Sequence, residues 1–269
     1  MITLSALYRY PLKSGQFEPL ERIGLDALGL QGDRRWMAVE ASNGRFLTQR
    51  LLPQLGRIEA RWQDSGKALR LRAPGMEDLL VAVPGVDDAL RGVTIWRDSL
   101  QVPDAGEAAA DWLSRFLGRP CRLVEIPEQR ARQVDTAYAE PGEKVHFADG
   151  FPLLLMSQAS VDDLAARVGH PLEMLRFRPN LVLEGSAPYA EDGWKRIRIG
   201  DVEFRVAKPC GRCILTTIDP HTGERDPNRE PLATLLKYRQ VDGEALLGQN
   251  LLPLGRGELR VGMPVEILE

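Results

Sequence analysis

Apolar and polar residues alternate over short stretches along most of the chain. TLSALY near the start, then RRWMAVEA, ALRLRA, DLLVAV and GVTIW, show the two-residue period of strands with one buried face. Gly, Pro, Asn and Asp punctuate them. A helical period appears once in this half. In AGEAAADWLSRFLG, Trp112, Leu113, Phe116 and Leu117 fall on one face, and Gly118 suits the stop. CRLVEI reads as a further strand. The polar stretch PEQRARQVDTAYAEPGEKVHFADG then shows no clear period and carries two prolines. It reads as a linker or a mobile binding segment. A domain boundary is placed at its start, dividing the chain into 1–126 and 127–269.

The second half repeats the style. FPLLLMS predicts a buried strand, and SQASVDDLAARVG a short helix with Ser157 or Ser160 as N-cap. NLVLEG predicts a strand, and WKRIRIGDVEFRVA a hairpin turning at Gly200-Asp201. ILTTI is β-branched and reads as a strand. EPLATLLKYRQ is a helix with Pro231 in its first turn, and ELRVGMPVEILE gives two short strands around Gly262. No internal repeat is present. The pattern predicts a mainly β protein with a few short helices, built as two β-rich, barrel-like domains rather than a doubly wound sheet.

Composition narrows the function classes. The 269 residues carry a formal net charge of -3, with basic residues spread along the chain, so nucleic acid is not an expected partner. No apolar run reaches the roughly 18–20 residues that cross a bilayer, so no membrane association is expected. MITLSALYRYPLKS lacks the basic and apolar regions of a signal peptide. Three cysteines are too few for a disulfide framework. A cytoplasmic protein is expected.

Two of those cysteines stand three apart in KPCGRC, residues 208–213. A structural zinc site wants two such pairs, but Cys121 is alone and His146, His170 and His221 are scattered. A thioredoxin-like dithiol wants a helix start, whereas Cys213 runs into ILTTI. Both cysteines could be small buried hydrophobes. Against that, Lys208 and Arg212 flank the pair, and the turn-rich TTIDPHTGERDP follows. An anionic sulfur between cations suits a soft metal or an anionic cofactor. Such a cofactor needs cationic and N–H donors elsewhere. YPLKSG offers Lys13 and Ser14, GDRRW offers Arg34 and Arg35, and FRPN offers Arg178 and Asn180. Each is ordinary alone, and spacing does not show that they converge.

The run C-x-R-C-I-L-T-T-x-D-P-x-T-G, Cys210 to Gly223, resembles the signature of the MOSC domain, named for the C-terminal part of molybdenum cofactor sulfurase. The resemblance is strongest to the branch of mitochondrial amidoxime reducing components and their bacterial relatives. YPLKS, GDRRW, FLTQR, GEAAADW, FADGFPLLLMS, FRPNLVLEG, EDGW, IGDVEF, PLATLLKYRQ and VGMPVEIL occur in the family's order, so it covers nearly the whole chain. It implies a molybdenum–molybdopterin cofactor between two β-rich domains, with Cys213 as metal ligand. Lys13, Ser14, Arg34, Arg178 and Asn180 match cofactor contacts, and Gly211 and Arg212 complete the loop around the ligand. Three places depart from animal relatives: Gly211 replaces a serine, Asn250 a tyrosine, and Gly150-Phe151 a Thr-Ser pair. Gly150, Phe151 and Asn250 are counted with the cofactor-binding positions.

The implied activity is reduction of N-hydroxylated compounds, such as amidoximes, hydroxylamines and N-hydroxylated bases. Asp149 is a candidate proton relay; as a plain reading it is a turn residue before a strand. No G-x-G-x-x-G follows a strand, and the cysteines of an iron–sulfur cluster are missing, so a separate electron donor is expected: a flavoprotein reductase, or a ferredoxin- or cytochrome-type protein. Two alternatives stand beside this. One is sulfur transfer through a Cys213 persulfide with a pyridoxal-phosphate cysteine desulfurase partner. The other is a cofactor-binding module without turnover.

Overall fold

The alternation at Thr3–Arg9 buries Leu4 and Leu7 and makes a strand whose main partner lies far along the chain. In the computed structural model, which describes residues 1–269, it runs antiparallel to Leu181–Glu184, with Leu7 opposite Leu181. A nine-stranded sheet grows from this pair. Its order is Glu18–Leu20, Thr3–Arg9, Leu181–Glu184, Leu153–Ser157, Glu244–Pro253, Val202–Arg212, Arg196–Ile199, Val265–Ile267, with Gln240–Val241 added beside Glu244–Pro253. The far edge is tied back to the first strand: Leu4 N–H donates to Met263 O and Val265 N–H to Ile2 O, both at 2.9 Å. The sheet therefore closes, which removes its free edge. Leu4, Leu7, Ile23 and Leu25 fill its interior with Leu153, Leu155, Leu181, Phe204, Leu251 and Leu259.

The rest of the first half is a set of small antiparallel ladders. Glu59–Gln63, Ala68–Arg72 and Leu79–Ala82 form one, Trp36–Glu40 with Cys121–Glu125 a second, and Leu90–Ile95 with Asp98–Pro103 a third. The helix Glu107–Leu117 packs Trp112, Leu113 and Leu117 onto a core with Trp36, Leu55 and Leu69, and Gly118 ends it at φ 69. The mainly β, multi-sheet architecture expected from the alternation is what the chain adopts.

Several local readings are revised. The stretch after Pro127 is no loose or mobile linker. Phe147 is fully buried against Met37 and Val93, Val134 and Val145 pack on Leu252, and the Arg132 guanidinium donates to His146 O and to Asp98. Burial, with Arg35 beside it, pulls His146 down to about 3, so the ring is neutral inside this strap. The helix Gln158–Val168 starts after Ser157, but that hydroxyl pairs with Ser186 rather than capping, and Ser160 donates to Glu191. ILTTI is not a strand. Ile214–Thr217 is a 3-10 turn, because the Thr216 and Thr217 hydroxyls donate back to Cys213 O and Ile214 O at 3.0 and 2.8 Å.

Candidate functional site

One cleft of about 210 Å³ brings together Lys13, Ser14, Arg34, Asp149, Gly150, Phe151, Arg178, Asn180, Gly211, Arg212, Cys213 and Asn250. Arg35, offered beside Arg34, lies outside it and pairs with Glu125. The sequence reading missed Thr48, Arg50 and Arg176, which share the cleft. Arg50 stood in the quoted FLTQR, but nothing local to that run distinguishes its arginine from a surface one.

The cleft's floor is the long strand Val202–Arg212. Its register against Glu244–Pro253 slips twice, between Val206 and Lys208 and between Pro209 and Gly211. Such bulges bend a strand and re-aim its side chains. Arg212 ends the strand and Cys213 heads the 3-10 turn, so the sulfur sits where the ladder stops. The two cysteines have separate partners. Cys210 Sγ accepts from the Arg212 guanidinium at 2.9 Å, and Cys213 Sγ from Arg50 Nε at 3.4 Å. Cys121 lies elsewhere, buried beside Ser114.

Cations come from both halves. Ser14, Arg34 and Arg178 all have left-handed backbone, φ 64, 44 and 57, which side chains other than glycine seldom adopt. Three such residues in one cleft fit a place where strain is held for function. The Arg34 and Arg178 guanidiniums lie 4.2 and 4.3 Å from the centre of the Tyr10 ring. Arg34 donates to Asp33 at 2.5 Å, to Asn180 Oδ1 at 2.9 Å and to Arg178 O at 3.1 Å. Arg178 itself donates to Gly15 O at 2.8 Å and has no carboxylate partner. Burial pulls it down to about 10, with Arg34 adding to the fall. Asn250 Nδ2 donates to Lys208 O and Pro209 O, each at 3.4 Å.

Lys13 is 4% exposed and donates to Phe147 O at 2.7 Å and Asp149 Oδ1 at 2.5 Å. Burial pulls it down to about 8, against the attraction of Asp149. Asp149 stands exposed at the mouth. Lost solvent on its inner side opposes its charge, but Lys13, then Arg50 and Arg34, hold the carboxyl well below the usual carboxylate range.

The donor set fits an anionic ligand. Lys13, Arg34, Arg50, Arg176, Arg178 and Arg212 face a cleft whose lining carries one carboxylate, Asp149. Arg212 Nε is buried without a hydrogen-bond partner, a donor left for something else to satisfy. Fold and site together define a mainly β protein with a cation-lined cleft that ends on a cysteine sulfur.

Residues 1–120 match the MOSC N-terminal beta barrel domain, and residues 142–266 the MOSC domain. The human protein "Mitochondrial amidoxime-reducing component 1" is 35% identical over 99% of this chain and 83% of its own length. "Molybdenum cofactor sulfurase" of Oryza sativa subsp. japonica is 32% identical over 92% of this chain but 32% of its own length. The chain belongs to the MOSC-domain family, within the branch of the amidoxime-reducing components. Among solved structures, the YUAD protein from Bacillus subtilis aligns over 99% of this chain and 95% of that one, at 11% identity and a TM-score of 0.42, too low to carry an argument. The cytoplasmic expectation is overturned, because relatives such as the human and mouse proteins are mitochondrial by name. No helix is long and apolar enough to cross a membrane.

Proposed function

We propose that this protein is a molybdenum-dependent reductase of N-hydroxylated compounds, working on a molybdenum–molybdopterin cofactor held between its halves. The observation that carries the reading is the cleft itself: a cysteine sulfur at one end, and six cations from both halves against one lining carboxylate. Full-length similarity to amidoxime-reducing components supports the same choice. When bound, the cofactor supplies two-electron chemistry at the N–O bond; the protein supplies placement and charge.

The chain's own residues divide the work. Lys13, Ser14, Arg34, Arg178 and Asn180 are assigned to the phosphate. Gly150, Phe151, Gly211, Arg212 and Asn250 line the polar edge, and Cys213 is the metal ligand, a soft donor for a soft site. Asp149, with its carboxyl held ionised, is poorly suited to give up a proton near neutral pH. Its role is to orient the neighbouring Lys13 ammonium through Oδ1. Electrons are assigned to a separate donor protein, and the chain to domains 1–126 and 127–269.

A sulfur carrier that uses a Cys213 persulfide is the second reading, favoured by the match to the rice sulfurase. A module without turnover is the third. One experiment separates them: molybdenum and pterin content of freshly purified protein, with a benzamidoxime reduction assay using an artificial electron donor. Metal, pterin and turnover together support the reductase. Protein that carries metal and pterin yet does not reduce benzamidoxime favours the module, and metal-free protein bearing a persulfide favours the carrier.

A further inference from the structure

Phe46 and Trp96 form an aromatic pair, ring centroids 4.9 Å apart, beside two cations of the cleft lining, Lys13 and Arg50. Trp96 is the first of two residues that turn Leu90–Ile95 into Asp98–Pro103. Its φ is 53, in a hairpin position that glycine ordinarily fills, and it is 43% exposed. A bulky residue in this backbone region is a genuine outlier, and outliers of this kind gather where something outside the turn needs the side chain.

Two cations stand against the indole: Lys13, its Nζ 6.0 Å from the ring centre, and, nearer, Arg50, its guanidinium carbon at 4.9 Å. From there the guanidinium reaches two groups at once: Nε donates to Cys213 Sγ at 3.4 Å, and Nη2 to Asp149 Oδ2 at 3.1 Å. Its main chain is also held, since the Arg225 guanidinium donates to Arg50 O at 2.6 Å. We infer that Trp96 and Arg50 form a bracket that fixes the Cys213 sulfur and the Asp149 carboxylate relative to each other, with Arg50 as the positioning residue and Trp96 as its backstop. A plain surface ion pair between Arg50 and Asp149 accounts neither for the contact to sulfur nor for tryptophan in the strained turn. The task needs a rigid, planar group with donors on two edges, which lysine does not offer. The inference rests on Cys213 being the working sulfur.

The test reads the charge beside each sulfur in full-length protein made in molybdate-starved cells. The same sulfur attacks the methylene carbon of iodoacetate or iodoacetamide and displaces iodide, so the ratio of the two rates cancels its intrinsic reactivity and reports the local field. Peptide mapping gives that ratio at Cys213, at Cys210 as an internal control with its own Arg212, and at buried Cys121 as a check on folding. Arg50→Gln is expected to lower the iodoacetate preference at Cys213 about fivefold and to leave Cys210 alone. Trp96→Ala is expected to lower it about twofold, and Trp96→Phe, which keeps an aromatic face, to restore it. An unchanged ratio at Cys213, an equal fall at Cys210, or equal effects of Ala and Phe at position 96 would overturn the bracket. If Arg50→Gln exposes Cys121, the two Trp96 variants decide. The readout needs no metal, so a parent protein without molybdenum would sink the proposed function and leave this result standing.

Discussion

Among the residues, the two cysteines separate most sharply. Cys213→Ser is expected to abolish metal binding and activity while the protein stays folded, because a hydroxyl is a poor substitute for thiolate on molybdenum. Cys210→Ser, whose sulfur meets only Arg212 and its own loop, should keep substantial activity. Metal content and turnover of both variants check this, and equal losses would favour a dithiol. Lys13 sets a pH window. Its folded-state pKa of about 8 lies below the ordinary lysine value of 10.5. Below about 8 both folded and unfolded chains hold the proton, so the burial cost is fully present. From about 8 to 10.5 only the unfolded chain keeps it, so the stability contributed at Lys13 rises with pH. Anion binding runs the opposite way, since the cation that attracts the anion disappears. The rise in melting temperature produced by sulfate, whose charge is constant here, should therefore shrink between pH 7 and 9.5 in wild type. In Lys13→Met it should be smaller and flat. Lys13 and Cys213 were legible in the sequence because each sits in a short recognisable run. Arg50 and Trp96 were not, because their meaning lies in contacts between distant stretches of chain, 99 and 163 positions apart for Arg50 with Asp149 and Cys213, which no window of periodicity contains.

At the level of elements, alternation located most strands well and failed at the cleft. The hairpin around Gly200-Asp201 and the helix ending at Gly118 follow directly from period and punctuation. The strand read at ILTTI did not form, because β propensity reflects fit to a half-buried pleat. Here two threonine hydroxyls find carbonyls three residues back instead. The turn carries Cys213, so its stability matters to the site. Thr217→Val keeps the shape but deletes a buried hydroxyl that donates to Ile214 O, and should cost about 1 kcal/mol in urea unfolding. The same variant should lose part of its metal content. Unchanged stability would mean that the turn is held by its surroundings rather than by its own hydroxyls. The segment after Pro127 failed the other way: its polar composition hid a buried strap, because the Arg132 guanidinium there is satisfied by backbone carbonyls and an ion pair that composition does not reveal.

Across the whole molecule, the site belongs to neither half alone. Arg34 and Arg178 come from different halves of the chain, and each contributes charge to the same cleft. Arg34→Ala and Arg178→Ala should each weaken retention of pterin roughly tenfold or more, the value of a lost charge-assisted hydrogen bond. Full pterin occupancy in both variants would remove the shared site. The halves are also stitched together. Thr3–Arg9 pairs with Leu181–Glu184, and Arg22–Asp26 with Gly257–Arg260. A fragment of residues 127–269 would leave Leu181 and Leu183 without the partners that cover them, and is expected to be insoluble or unfolded by circular dichroism. A soluble, cooperatively melting fragment would show that the first strands are dispensable. The same stitch has a consequence on the ribosome. The first strand emerges early, but Ser5 and its partner Val182 are separated by 177 positions. At roughly 5–20 residues per second, the strand waits on the order of ten seconds or more with Leu4 and Leu7 uncovered. For that interval the nascent chain carries a sticky strand with one edge open, so the time of greatest exposure to aggregation falls during synthesis and ends only once the strand at 181–184 has emerged.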